Sequence, residues 1–362
     1  MQRPYLREPR RRRAAGFSLI ELMVSVALGL MVVAALAMLF ANSSRARQEM
    51  EKTNQQIENG RYASQFLRDD VRLAGYLGEF NPSSLAAPAT VPDPSLADVA
   101  KVTEAMPVAL QGYHFGISAS ATLPAGVTSL LVDRRANSDV LVIRRASTCV
   151  AGPSTAAPSC AAMDTSAHYY FQTTLCQSQL TVLPAASQFV ISANDTVFTA
   201  TNSNITIAPT YLAKKDCVTP AITRAYLVRI YYVTNNDQAG DGIPTLKRVE
   251  LGPGSFNAPE PIAEGIESLQ LEYGVDNNSD GAPEQYLTDP VAAGKSWSQV
   301  TAVKIHLLAR NTEPSAAFTD TRTYVLGGAA TTDDTFGPYN DHYKRHVYTS
   351  VVRLMNIGGR LE

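Results

Sequence analysis

The chain of 362 residues carries 31 Lys+Arg against 33 Asp+Glu, a formal net charge of −2, with 45% hydrophobic residues. That apolar fraction excludes wholesale disorder, and the near-neutral balance argues against a dedicated nucleic-acid binder, so no direct nucleic-acid contact is expected. The length allows one large domain or two small ones, and four cysteines are too few for a disulfide-dense scaffold.

The charge is unevenly placed. Residues 1–16 hold six arginines and one acid, Glu8, a net of +5 that leaves −7 on the remainder. Residues 17–41 then contain a single charge, Glu21, and no proline. Such a run, rising 1.5 Å per residue as a helix, can cross a hydrocarbon core of about 30 Å. Arginines before it put the N-terminus in the cytoplasm and the body outside. A cleaved secretory signal would have a shorter apolar region followed by a small-residue cleavage site. Here the small residue, Gly16, precedes a longer run, which favours a retained anchor. A carboxylate five residues into a membrane helix costs about 2.5–3.5 kcal/mol, so Glu21 asks for a function. A cut between Gly16 and Phe17 would supply an α-ammonium to pair with it.

Residues 42–74 again lack proline, and Ala63, Phe66, Leu67, Val71 and Ala74 form one apolar stripe at helical spacing. The helix is expected to run to Ala74 with Gly75 as its cap, weakened at Gly60 by about 1 kcal/mol relative to Ala. Residues 77–126, rich in Pro, Ala and Ser, read as loops. Strand patterns follow at 127–132 and 139–144, a hairpin about Ala136-Asn137-Ser138, then at 188–191 and 196–199. Further strands are expected at 225–233, 245–251, 266–275, 300–309, 323–326 and 346–354. One long helix followed by short strands predicts an α+β fold with a mainly antiparallel β-sheet head.

Residues 145–222 hold Cys149, Cys160, Cys176 and Cys217 and read as an insertion or subdomain of that head. In an oxidising compartment they would form two bridges; three pairings are possible, and loop closure slightly favours Cys149–Cys160 with Cys176–Cys217. Asp276, Asn278 and Asp280 with Gly281 fit the start of a calcium loop, with Glu284 the nearby acid, but Leu287 stands where a glutamate should close it. Polar hairpin turns account for the same residues. No cofactor is required by the sequence beyond this possible Ca2+, and no catalytic motif is present, so no enzyme activity is expected.

The run Gly16-Phe17-Ser18-Leu19-Ile20-Glu21-Leu22-Met23-Val24 resembles the prepilin cleavage and methylation motif of type IV pilins and type II secretion pseudopilins. The resemblance implies cleavage after Gly16 by a prepilin peptidase, N-methylation of Phe17, and inner-membrane residence before assembly into a fibre. Glu21 would pair with the Phe17 amine of an adjacent subunit and fix subunit register. The stretch Glu58-Asn59-Gly60-Arg61-Tyr62-Ala63, followed by Leu67, Asp70, Arg72 and Ala74-Gly75-Tyr76, is similar to PilW-type minor pilins. It departs from them at Leu77-Gly78-Glu79, where a Cys often follows the Tyr, which leaves the disulfide scheme open.

What the resemblance implies is a type IV pilin-like fold. Residues 1–16 would be a cleaved leader, 17–75 a long helix with 17–41 transmembrane, and 76–362 a periplasmic head. The expected role is initiating or capping a type IV pilus, in adhesion, twitching motility and DNA uptake. Other minor pilins, the major pilin, the prepilin peptidase and the inner-membrane assembly platform would be its partners. It would sit as a single-pass inner-membrane protein and then at the pilus tip. The alternatives are a minor pseudopilin of a type II secretion tip and a membrane-anchored, calcium-dependent binding module.

Overall fold

Helix α1 (Leu19–Arg72) takes up 54 residues and is the first element of the computed structural model. The structure describes Gly16 and residues 18–82, 85, 88, 90–118, 121–152, 162–198, 208–328 and 333–357. The chain divides into two units, residues 1–51 and 52–362. In the first unit the apolar side chains of α1 have no protein around them: Leu19 is 79% exposed and Phe40 77%. In the second, Ala63, Leu67 and Val71 of the same helix are fully buried.

The helix stops two residues before the expected Ala74. Leu73 and Ala74 donate to the carbonyls of Asp70 and Val71, three residues back, which tightens the last turn. Gly75 then takes φ +72° and its N–H bonds to the carbonyl of Arg144 at 2.9 Å. A side chain there would meet both a left-handed backbone and the Cβ of Ala109 at 2.9 Å, so the stop signal at Gly75 is also a packing requirement.

The remaining helices are short: α2 (Val99–Glu104), α3 (Ala125–Leu130) and α4 (Gln177–Val182). The strands run β1 (Leu110–Tyr113), β2 (Val140–Ala146), β3 (Tyr169–Thr173), β4 (Phe189–Ser192), β5 (Thr223–Thr234), β6 (Thr245–Gly252), β7 (Ser255–Phe256) and β8 (Glu260–Glu264). They continue with β9 (Ile266–Val275), β10 (Gln285–Leu287), β11 (Val300–Arg310), β12 (Tyr324–Val325), β13 (Thr335–Phe336) and β14 (Arg345–Arg353). One sheet has the order β1-β2-β5-β3-β4, with β6 alongside β5 and joined by β7 and β8; a second has the order β10-β9-β11-β14. Every pairing between these strands is antiparallel. The α+β class with a long N-terminal helix and antiparallel sheets is therefore as the sequence indicated.

Alternation along the central strands builds two cores. Leu141, Ile143, Tyr231 and Val233 face one way and join Ala63, Leu67 and Val71 of α1 and Val303, Ile305 and Leu307 of β11. Val140, Val142, Val228, Ile230 and Tyr232 face the other way and join Leu77, Phe80, Val102, Val127 and Leu131. The larger sheet is thus covered on both faces, which is why its strands read as nearly unbroken apolar runs.

Three local expectations are corrected. Residues 127–132 do not pair with 139–144; most of that run lies in α3, which follows Pro124. Val127 and Leu131 stand four apart, so one helical turn buries both in the second core, a helical spacing inside an apolar run too short to show its period. β2 pairs with β1, Leu110 opposite Ile143, and with β5 on its other side, so residues 77–126, read as loops, contain both a strand and α2. The turn chemistry at 136–138 was sound, since Asn137 adopts φ +54°. Residues 195–198 form a 3-10 turn and not a strand, with Val197 donating to the Asn194 carbonyl.

Strands β3 and β4, from the cysteine-bearing region, pair into the larger sheet beside β5, with Tyr169 opposite Tyr226. Tyr169, Tyr170 and Phe171 are all buried there. Cys176 and Cys217 are joined by a disulfide with a Cα–Cα distance of 4.8 Å. Cys160 lies outside the described residues, and the expected bridge to Cys149 falls partly on it.

Candidate functional site

The amino-terminal site begins where α1 begins. Phe17 lies outside the described residues, whereas Gly16 and Ser18 are placed and exposed. The Ser18 N–H donates to the Glu21 carboxylate at 2.9 Å and the Glu21 N–H donates to Ser18 Oγ at 3.2 Å. This reciprocal pair is a capping box, answering two of the donors that every helix start leaves open. The Ser-x-x-Glu spacing of Ser18 and Glu21 is the sequence signature of such a box. Ser25 Oγ donates back to the Glu21 carbonyl at 2.6 Å. Glu21 is exposed on a helix that is long and apolar enough to cross a membrane. Its carboxylate is therefore available to a cation from outside its own chain, at the cost of opening the cap.

The second site is the joint between the last turns of α1 and the head. Gln56 donates to the carbonyls of Ala309 (2.8 Å) and Lys344 (2.9 Å), tying the helix to β11 and to the residue before β14. Asn59 donates to the Glu264 carbonyl at 3.1 Å, and Lys52 meets Glu313 at 3.2 Å. Gly60 lies under the ring of Tyr348 from β14, so closely that a Cβ would fall 2.2 Å from a ring carbon. Its glycine is there for close approach, and the helix accepts the propensity loss.

Asp70 closes the joint. Its Oδ1 receives Arg145 Nε at 2.7 Å and Arg229 at 2.9 Å, and its Oδ2 receives the Tyr231 hydroxyl at 2.7 Å. Arg229 continues to Glu250 at 2.6 Å. Burial pushes the Asp70 carboxyl up, but Arg229, Arg145 and Tyr231 together outweigh it and hold its pKa below the usual carboxylate value. A carboxylate on the apolar stripe, three residues from Leu67 and four from Ala74, was the signal that it would be buried and paired. A second ionic knot secures β14 to the smaller sheet: Arg345 meets Glu267 at 2.5 Å, Asp341 at 2.7 Å and Asp320 at 3.0 Å.

His114, just past β1, sits 3.1 Å from Asp139, just before β2, and 3.5 Å from Asp333. Asp139 accepts from the backbone N–H of Phe115 and of Leu271, so it ties the start of β2 and the segment past β1 to β9 of the second sheet. Burial lowers the His114 pKa, but the bonds and charges of Asp139 and Asp333 outweigh that and push it up to about 9.

The candidate calcium loop follows β9. Carboxylate oxygens of Asp276, Asp280 and Glu284 lie within 4.8 Å of one another. Asp276 accepts from the backbone N–H groups of Asn278, Ser279 and Gly281, and Asn278 Nδ2 donates to Asp280. Burial raises the Asp276 carboxyl, while these N–H groups, led by Gly281, bring it below its ordinary value overall. An oxygen set of this kind suits a hard cation. Glu284 also accepts the Asn277 N–H at 2.7 Å, so the loop is closed by its own side chains.

The apolar helix and the residues around Glu21 fit a membrane-anchored pilin, and residues 11–37 match the prokaryotic N-terminal methylation motif. Within that class, residues 230–356, from β5 to just past β14, match the family described as type IV pilus-assembly protein W. The resemblance to this family is borne out by these two matches, while residues 58–76, which also suggested it, lie outside both. A type IV-like pilin from Thermus thermophilus is similar at 18% identity, covering 36% of this chain and 66% of that one, with a TM-score of 0.21. The matched region thus spans just under two thirds of that pilin's length. No curated protein matches the chain significantly.

Proposed function

We propose that the chain is a structural minor pilin that takes part in initiating or capping type IV pilus assembly. Prepilin peptidase cleaves it between Gly16 and Phe17, and the new Phe17 amine is N-methylated. The span 17–41 holds it in the inner membrane with the head periplasmic until the assembly platform passes it, with other minor pilins and the major pilin, into the fibre tip. Glu21 then exchanges its own Ser18 N–H for the Phe17 ammonium of a neighbouring subunit, neutralising two charges that a fibre interior would otherwise bury unpaired. The observation that carries this reading is the methylation-motif match over residues 11–37 on a helix whose one acidic residue near its start, Glu21, is exposed.

Mass spectrometry of the mature protein tests it directly: an N-terminus other than methylated Phe17 removes the proposal. Glu21→Ala is expected to leave membrane insertion unchanged and to cut incorporation into fibres severalfold; normal incorporation would sink the register role. Copurification separates a pilus from a type II secretion tip, since the former recovers other minor pilins and the latter secretion pseudopilins.

The gathering of three carboxylates at 276–284 favours one further role, Ca2+ binding by Asp276, Asn278, Asp280 and Glu284. Titration calorimetry of the full chain with CaCl2 is expected to give heat that Asp280→Ala abolishes; no heat in the parent chain ends this reading.

A further inference from the structure

Between the end of α1 at Gly75 and the loop of Asp276 and Ser279, the described residues line a cavity of about 580 Å3, within the range of small-molecule sites. Its wall is mostly apolar, with Pro92, Met106, Val108, Val291 and Trp297 among its residues. Trp297 is nearly buried and stands edge-on to Tyr273, with ring centroids 4.8 Å apart. Its indole N–H has no hydrogen-bond partner among the described residues. Two charged residues border the space. Asp276 has its oxygens taken by three backbone N–H groups, so its charge is answered within its own loop. Lys295 is half-buried, and among the described residues no carboxylate pairs with its ammonium. The cavity therefore offers an apolar wall and one cation without a partner of its own.

We infer that this cavity binds a small amphipathic carboxylate, with its apolar body against the Val108, Val291 and Trp297 wall and its anionic head on Lys295. The apolar part supplies most of the affinity by leaving water, and Lys295 selects the charge and orients the ligand. This site is independent of the pilin reading, because it uses no residue of the cleavage motif or of the helix joint.

The test exploits Trp297, the only tryptophan in the chain. Octanoate is titrated into the full-length protein in dodecyl maltoside while tryptophan emission is followed, with N-acetyltryptophanamide in the same micelles as the baseline. A saturable emission change is expected, weakened about tenfold in Lys295→Gln and at least as much when octan-1-ol replaces octanoate. It should also weaken as salt is added, because the Lys295 contact lies near the surface. A non-saturable change matching the baseline, equal binding of octan-1-ol, or unchanged affinity in Lys295→Gln would each overturn the inference. Lys295 is not a core residue, so the variant is expected to fold; its melting temperature, unchanged from the parent, confirms that any loss is of binding.

Discussion

The two parts of α1 on either side of residue 51 obey opposite rules, although they are one continuous helix. In the first, every large apolar side chain is exposed and the only acid near the start caps its own N-terminus. In the second, the stripe of Ala63, Leu67 and Val71 is buried, and Gln56, Asn59 and Asp70 each find a named partner in the head. A glycine shows the contrast most simply. A Cβ on Gly29 would meet nothing within 4 Å, whereas one on Gly60 would strike Tyr348. The first part, over residues 19–41, suits a solvent that supplies no hydrogen bonds, and the second a protein surface that supplies them to Gln56, Asn59 and Asp70.

The strongest way to break this comparison is Asp70→Ala. It leaves Arg145 and Arg229 buried without their shared carboxylate, and removing one partner from a buried ionic cluster costs about 3–5 kcal/mol. Thermal unfolding of the head, followed by near-ultraviolet circular dichroism, should shift down by about 5–15 degrees; a shift of under two degrees would mean that the joint does not depend on Asp70. The corresponding change in the other part, Glu21→Ala, should leave the same transition where it was.

Gly60→Ala comes next. Overpacking against Tyr348 costs about 1–3 kcal/mol, against about 1 kcal/mol gained from helix propensity. The net loss should vanish in a Tyr348→Ala background, a coupling that a double-mutant cycle measures. Gly29→Ala should not change the head transition at all. A comparable loss at both glycines would erase the distinction between the two parts.

The smallest expected effect is on pH dependence. His114 has its pKa raised in the folded head, so the stability it contributes is complete below its unfolded value of about 6.5 and is lost as pH rises through about 9. Asp70 has its pKa lowered, so its contribution is present above about pH 3.9 and is lost as pH falls through the depressed folded value. Melting temperature should therefore fall on both sides of neutrality. His114→Gln should flatten the alkaline limb, and it also leaves the buried Asp139 without the partner that lowers its pKa; an unaltered alkaline limb would show that the His114 lock carries little.

Much of this was open to a reader of residues. Charge placement, the proline-free run at 17–41 and the Gly16–Glu21 spacing identify the anchor, because a membrane imposes constraints that are local and additive along the chain. Strand-like runs placed β5, β6, β9, β11 and β14 close to their observed bounds, because a strand's residue preferences act locally along the run. The motif residues 58–76 were legible as a resemblance but not as a mechanism. Only the fold shows that Asn59 reaches the Glu264 carbonyl, that Gly60 admits Tyr348 and that Gly75 bonds to Arg144.

The misreadings share a cause. Residues 127–132 were given a neighbour in sequence when the partners of β2 were β1 and β5, and α3 was needed to cover the second core. Asp70 lay in plain view, but its partners come from β2 and β5, 75 and 159 residues further along the chain. What the sequence determined by itself is therefore whatever a segment settles with its own neighbours and its solvent: the long apolar run, the helix period, the extended strands. What the tertiary structure alone decided is which distant groups meet, including the carboxylate between two arginines, the histidine between two aspartates and the cavity beside Trp297. Those meetings depend on loop closure and on two sheets packing face to face, and no local pattern encodes the distance between them.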